Sequence, residues 1–124
     1  MKEYKIFLDD ILIGTTNFEF ADVPMGVVFG KVNFIDIKKN LYNFFKEYCD
    51  KNEIDYHFNN EEKYIQTFDI KQIKIKSEDS SFIKNGASFC GFDEDFNIEM
   101  YNISSDIMKS EFLHHYYDYY GETD

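Results

Sequence analysis

The sequence is poor in several residue types that serve particular functions: it has no arginine, no tryptophan and a single proline. Without arginine it lacks the planar guanidinium group that favours bidentate recognition of phosphate. Its cations are 13 lysines, which face 24 acidic residues and leave a formal net charge of −11. Because a protein that neutralises phosphates needs a basic surface, we expect no direct binding to nucleic acid.

Long hydrophobic runs are also missing. No stretch approaches the roughly 18 apolar residues that a membrane-spanning helix requires. Residues 1–7 contain charged side chains and no long apolar run, so they do not read as a signal peptide. We therefore expect a protein of the cytoplasm that does not bind a membrane.

Metal-binding patterns are absent as well. Cys49 and Cys90 lie far apart and form no CxxC pair or zinc spacing, so we expect two buried, reduced thiols. His114 and His115 are neighbours, and neighbouring residues of a helix point about 100° apart. Zinc-binding helices place their histidines four residues apart instead. We therefore expect surface histidines, no metal site and no cofactor.

Motifs of catalysis and of calcium binding do not occur either. The chain has no GxSxG, HExxH, P-loop or GxGxxG motif. Asp93, Asp95 and Asn97 have the spacing that opens an EF-hand loop, but Ile98 stands where that loop requires glycine. Carboxylates on an open surface also lack the burial that tunes a catalytic pKa. The absence of these motifs favours a binding protein, with a small enzyme of unrecognised type as an alternative.

What is present is typical of one globular domain over residues 1–124, with 44% hydrophobic and 30% charged residues. Alternating apolar residues and turn signals predict strands at Tyr4–Leu8, Ile11–Thr16, 27–34, 64–68, 71–76, 87–92 and 96–103. Residues 51–63 are polar and predict a long loop. Asn85 and Gly86 predict a two-residue hairpin turn.

Helical spacing of apolar residues predicts two helices. The first covers residues 37–50, with Asp36 as its N-cap and with Leu41 and Phe45 on its apolar stripe. The second begins after Ser104 or Ser105 and covers the residues up to 120. Strands followed by a helix, then strands and a second helix, predict an α+β fold with a mainly antiparallel sheet and two helices.

Acidic residues are concentrated in the last third of the chain. Residues 1–76 carry 11 lysines and 13 acidic residues, whereas residues 77–124 carry 2 lysines and 11 acidic residues. The same last third holds ten phenylalanines and tyrosines. Carboxylates beside aromatic side chains suit a basic partner, because the charges attract it and the rings supply contact area.

The last predicted strand places part of this acid on one side. Phe96, Ile98 and Met100 alternate with polar residues, so the other side of the strand is predicted to be acidic and exposed. We expect this side and the outer side of the last helix to gather the acid on one surface that meets a cationic protein. The candidate contact residues are Asp93, Asp95, Glu99, Tyr101, Tyr117 and Asp118.

A resemblance to a class of bacterial proteins points the same way. Residues 12–16, Leu-Ile-Gly-Thr-Thr, and residues 21–30, Ala-Asp-Val-Pro-Met-Gly-Val-Val-Phe-Gly, resemble a segment of small bacterial proteins. The short, acidic, tyrosine-rich chain is similar in character to the immunity proteins of contact-dependent and polymorphic toxin systems. The resemblance implies an inhibitor that neutralises a basic cognate toxin, often a nuclease. An acidic nucleic-acid mimic or adaptor that regulates a DNA-binding system is the alternative.

Overall fold

A computed structural model describes residues 2–37, 40–93 and 95–121. The strands are β1 (Tyr4–Leu8), β2 (Ile11–Thr16), β3 (Phe20–Asp22), β4 (Val27–Lys31), β5 (Asn33–Phe34), β6 (Tyr56–Asn59), β7 (Tyr64–Thr67), β8 (Ile70–Ser77), β9 (Ile83–Phe92) and β10 (Asp95–Met100). The helices are α1 (Leu41–Lys51), α2 (Ser105–Glu111) and α3 (Leu113–Tyr120).

The strands form one antiparallel sheet that curls back on itself. Its order is β3-β4-β10-β9-β8-β1-β2-β5, and β6 and β7 extend from β9. Only Val32 separates β4 from β5, and β5 pairs with β2 at the far end of the path. The path from β4 to β5 therefore closes into a barrel-like sheet, which leaves few free strand edges. The predicted α+β fold with a mainly antiparallel sheet is confirmed.

The helices cover the core enclosed by this sheet. Phe45 of α1 is fully buried and stacks on Phe89 of β9 with 4.5 Å between ring centroids. Phe112, between α2 and α3, packs on Tyr4 at 5.7 Å and on Phe18 at 6.1 Å. Burial of such rings is the main stabilising contribution to a domain of this size.

The last helix is interrupted at Phe112, which was not predicted. Ser104 caps the start of α2, since its side chain accepts a hydrogen bond from the Ile107 amide at 3.2 Å. Phe112 then leaves helical geometry, with φ −118° and ψ 47°, before α3 begins at Leu113. The change in direction accompanies complete burial of the Phe112 ring.

The start of the first helix differs from the prediction. The helix begins at Leu41 and is capped by Asn40, whose side chain accepts a hydrogen bond from the Asn43 amide at 3.2 Å. Asp36 does not cap it, because its φ of 54° lies in the left-handed region and several residues separate it from the helix. Residues 38 and 39 of the predicted helix lie outside the described residues.

The predicted loop at residues 51–63 is wrong, because it contains β6. This strand pairs with β7, from Tyr56 opposite Thr67 to Asn59 opposite Tyr64. Three of its four residues are exposed, among them His57. A strand that buries so little has no alternation of apolar and polar residues, so its sequence resembles that of a loop.

The predicted hairpin turn at Asn85 and Gly86 is also wrong, since both residues lie inside β9. Gly86 has a φ of 93°, at a place where the pairing of β8 with β9 shifts register. A Cβ atom at this position would lie 3.0 Å from the Asp69 carboxylate. The Asn-Gly pair therefore provides the positive φ of an irregular position inside a strand, and not that of a hairpin turn.

Candidate protein-binding face

One side of the sheet points away from the core, and we call its side chains on β3, β4, β10, β9 and β7 the outer face. Strand register fixes which residues share it, because directly paired residues of antiparallel strands point to the same side. Phe20, Phe29, Glu99 and Ser88 form one row across the four paired strands. The outer face comprises Phe20, Asp22, Val27, Phe29, Lys31, Tyr64, Gln66, Ser88, Cys90, Phe92, Asp95, Asn97 and Glu99, with Tyr101 just beyond β10.

The predicted alternation of the last strand is confirmed. Phe96, Ile98 and Met100 are fully buried, whereas Asp95 is exposed and Glu99 is partly exposed. The strand ends at Met100 instead of continuing to residue 103. Glu99 therefore lies on the outer face, between β4 on one side and β9 on the other.

Hydrogen bonds hold the carboxylate of Glu99 in place. The Tyr101 hydroxyl donates to Glu99 Oε2 at 2.5 Å, and the Ser88 hydroxyl lies 2.8 Å from the same Tyr101 oxygen. Partial burial, and then the hydrogen bond to Glu99, raise the pKa of Tyr101 above its usual value. Because Tyr101 donates to only one of the two oxygens in this network, the carboxylate still offers acceptors to a partner.

Aromatic pairs flank this carboxylate on the outer face. Phe20 and Phe29 stack with 5.4 Å between their centroids, and Tyr64 lies 5.0 Å from Phe92. Phe20 is 53% exposed and Phe92 is 47% exposed. Exposed rings beside a fixed charge are typical of residues that anchor a protein interface.

The predictions for the two cysteines have different outcomes. Cys49 is buried as expected, and burial raises the pKa of its thiol to about 11. The expectation is wrong for Cys90, which is partly exposed on the outer face. Its sulfur lies 3.6 Å from the Tyr64 hydroxyl. This hydrogen bond, and then burial, raise the pKa of Tyr64 to about 12.

The carboxylates at the end of the β9–β10 hairpin are less constrained than Glu99. Asp95 is exposed, and its Oδ1 lies 3.8 Å from Lys31 Nζ. A pair as open as this contributes little to stability, so either charge can turn toward a partner. Asp93 lies in the turn and is exposed, and its amide donates to the Lys63 carbonyl oxygen at 3.4 Å.

Helix α3 brings one of its two candidate residues to this face. Asp118 and Tyr119 line a groove together with Phe20 and Phe29. Tyr117 does not line that groove and instead lies 6.3 Å from the ring of Tyr116. The structure therefore joins Asp118 to the predicted surface and leaves Tyr117 on another side of the helix.

The acidic residues of the last third were expected to share one surface, but not all of them do. Glu111 accepts hydrogen bonds from Lys2 at 2.7 Å and from Tyr4 at 2.5 Å, next to the core. Asp79 accepts hydrogen bonds within the β8–β9 turn, first from Ser81 and then from Ser77, which lower its pKa. The expectation is therefore wrong for Glu111 and Asp79, whose charges stabilise local structure.

One of the two adjacent histidines is buried, contrary to the expectation of surface histidines. His115 is 7% exposed, and its Nε2 lies 2.6 Å from the Phe18 carbonyl oxygen. His114 is exposed, and its ring centroid lies 3.9 Å from that of His115. Partial burial, and then the neighbouring His115, lower the pKa of His114.

Sequence reasoning included Tyr101 among the candidate residues but missed Phe20, Phe29, Tyr64 and Phe92 of the outer face. For Phe29 a signal exists, because it alternates with the buried Val28 in the predicted strand 27–34. Phe20 belongs to a strand of three residues, which is too short to show a period. Its contact with Phe29 follows only from the pairing of β3 with β4.

Nothing matches the chain among protein-family models, curated proteins or solved structures. Within residues 2–37, 40–93 and 95–121, none of the helices has the length and apolar character needed to cross a membrane. In the same ranges, no three His, Cys, Asp or Glu side chains are grouped so that they could hold a metal ion. We therefore infer a function from the geometry of the outer face.

Proposed function

We propose that this protein acts by binding, as an immunity protein that neutralises a basic cognate toxin, a nuclease, in the cytoplasm of the cell that it protects. The observation that carries the proposal is the Glu99 carboxylate, which Tyr101 holds on the outer face between two aromatic pairs, each with one exposed ring. A carboxylate in a fixed position can pair with a cation of the partner without first losing side-chain freedom.

The outer face has the composition of an interface anchor. Phe20, Phe29 and Phe92 offer apolar area, and Glu99 and Asp95 offer negative charge close to them. Interfaces depend on a few aromatic and charged residues surrounded by less important contacts. The same surface would exclude water from a salt bridge to Glu99 and so strengthen it.

The net charge supports a basic partner. A formal charge of −11 on 124 residues attracts a cationic protein over several ångströms and repels nucleic acid. A nuclease cleft is cationic because it binds phosphates. An acidic protein that covers such a cleft, or a surface beside it, competes with the substrate for the same lysines and arginines.

Co-purification with the product of the adjacent gene tests this function first. We expect a stable complex and loss of the nuclease activity of that product. If the adjacent product binds but is a DNA-binding regulator without toxicity, the protein is an acidic nucleic-acid mimic or adaptor and not an immunity protein. If it does not bind and no toxin gene lies beside this one, the proposal fails.

Charge reversal then tests the surface. Changing Asp95 and Glu99 to lysine should slow association with that partner and weaken its dependence on salt, because steering by these charges is lost. A control variant with the same net charge changes Asp10 and Glu53 to lysine, two exposed residues that do not belong to the outer face. Equal kinetics of the two variants would refute the placement on the outer face.

A further inference from the structure

A groove of about 360 Å³ lies between edge strand β3 and helix α3, at the margin of the outer face. Its chemistry combines two carboxylates with three aromatic rings. The residues that matter for its chemistry are Glu19, Phe20, Phe29, His115, Asp118 and Tyr119. Phe20 and Phe29 belong to the outer face as well, so a partner on that face also covers this groove.

The helix presents its side of the groove in a fixed orientation. His115, Asp118 and Tyr119 are three and four residues apart, so they share one side of α3. His115 lies against the chain just before β3, with its Nε2 2.6 Å from the Phe18 carbonyl oxygen. Tyr119 is 58% exposed.

Glu19 lines the opposite wall of the groove, and one of its carboxylate oxygens has no donor. Glu19 Oε2 accepts a hydrogen bond from the Lys31 amide at 3.4 Å. Glu19 Oε1 is buried and has no hydrogen-bond partner within the described part of the chain. It occupies the space beside Gly30, where a Cβ atom would lie only 2.6 Å away. A buried carboxylate oxygen is costly unless a donor reaches it.

We propose that this groove receives the guanidinium group of an arginine from the basic partner. Asp118 would accept its hydrogen bonds, together with Glu19 once the Glu19 carboxylate turns from Gly30 toward the groove. The rings of Phe20, Phe29 and Tyr119 would pack against its planar face. Arginine suits the groove better than lysine, because its fork has five donors and stacks on aromatic rings. This inference rests on the proposed function and names the chemical group by which the partner is recognised.

Lys31, which contacts Glu19, does not bring its ammonium group to this groove. Lys31 provides only its amide to Glu19, and its ammonium group lies 3.8 Å from Asp95. Asp95 lies at the start of β10, on the side of β4 away from β3. The proposed cation for Glu19 and Asp118 would therefore be supplied by the basic partner instead of Lys31.

The test uses the ¹⁵N-labelled full-length protein and a small probe, N-acetyl-arginine methylamide. We expect saturable shifts of the Phe20, Phe29, Asp118 and Tyr119 amide signals, with a dissociation constant on the order of 1 mM for so small a ligand. The uncharged analogue N-acetyl-citrulline methylamide should leave these signals unchanged. A lysine analogue should bind more weakly than the arginine probe.

Charge removal makes the test specific. Asp118→Asn should weaken binding of the arginine probe at least threefold, and Glu19→Gln at least tenfold. Asp106→Asn removes the same charge from the exposed start of α2 and should have no effect. Because Glu19 is partly buried, its variant is interpreted only if its amide spectrum stays folded, and Asp118→Asn decides the outcome otherwise.

Failure of this inference can be told from failure of the proposed function. Shifts that are absent, equal for the citrulline analogue, located elsewhere or unchanged by Asp118→Asn would overturn the arginine groove. The Asp95 and Glu99 variants would still test binding of a toxin through the outer face. If the probe binds as expected but the product of the adjacent gene does not, the groove stands and the immunity function fails.

Discussion

The Tyr101 hydroxyl lies 2.5 Å from Glu99 Oε2 although Tyr101 follows the end of β10. Tyr101 lies two residues after Glu99, so alternation keeps both side chains on the outer face, where the hydroxyl also lies 2.8 Å from that of Ser88. The Tyr101 hydroxyl is therefore a fixed hydrogen-bond donor to the Glu99 carboxylate. Its own ring is withdrawn from solvent, which is the main cause of its raised pKa.

Removing this donor should destabilise the protein moderately. We expect Tyr101→Phe to lower the free energy of unfolding by about 1–2 kcal/mol, because a hydrogen bond to a charged group contributes about 1.5–3 kcal/mol and this one is only partly buried. Urea denaturation measures the change. Tyr119→Phe, at an exposed position of α3, is the control and should change the free energy of unfolding by only about 0.3 kcal/mol. Equal effects of the two variants would show that the Glu99 contact contributes nothing.

Truncation of Phe45 should be far more damaging. Its ring is fully buried and contacts the rings of Phe89 at 4.5 Å and Phe96 at 5.3 Å. We expect Phe45→Ala to lower the free energy of unfolding by about 3–5 kcal/mol, because a large cavity remains in the core. Phe20→Ala removes the same ring from an exposed position and should cost less than about 1.5 kcal/mol. Similar losses for both would contradict the assignment of the core.

The two thiols should react at very different rates. Cys90 is partly exposed, whereas Cys49 is buried and its thiol has a pKa of about 11. In the folded protein, iodoacetamide should therefore modify one cysteine quickly and the other only after addition of denaturant. Mass spectrometry of the digested protein identifies which one reacts. Cys90→Ser should abolish the fast reaction and Cys49→Ser should preserve it; the reverse would place the wrong thiol at the surface.

Histidine protonation should make stability depend on pH. The folded-state pKa of His114 is lowered, first by burial and then by His115, with Asp118 acting against this. The unfolded chain then binds more protons than the folded one below the ordinary histidine pKa of about 6.5. The free energy of unfolding should therefore fall as the pH decreases through this value. His114→Gln should reduce this loss, whereas His57→Gln, at an exposed position of β6, should leave it intact.

Much of the sheet could be predicted because its strands show their burial in the sequence. The bounds of β1 and β2 agree with the predicted strands, and β10 alternates as expected. The missed strands β3 and β6 are short or exposed, so no apolar period marks them. The predicted strand 27–34 is divided at Val32 into β4 and β5. The break at Phe112 depends on rings that are distant in sequence, and helical spacing alone cannot show it.

The candidate site was predictable only along single strands. Glu99 follows the buried Ile98 in β10, so alternation along the strand correctly predicts that its side chain points outward. The neighbours of Glu99 follow from strand order, which sets Phe29 on one side and Ser88 on the other. The placement of Asp118 beside Phe20 requires the packing of α3 against β3, for which the sequence carries no local signal.

The most direct test of the account is the rate at which Cys90 is alkylated in the complex with the product of the adjacent gene. Cys90 lies on the outer face between Asn97 and Gln66, so a partner bound there must cover it. The account predicts that saturating partner slows modification of Cys90 at least tenfold relative to the free protein. Alkylation of Cys90 at an unchanged rate in a fully formed complex would show that the partner binds elsewhere and would contradict the account.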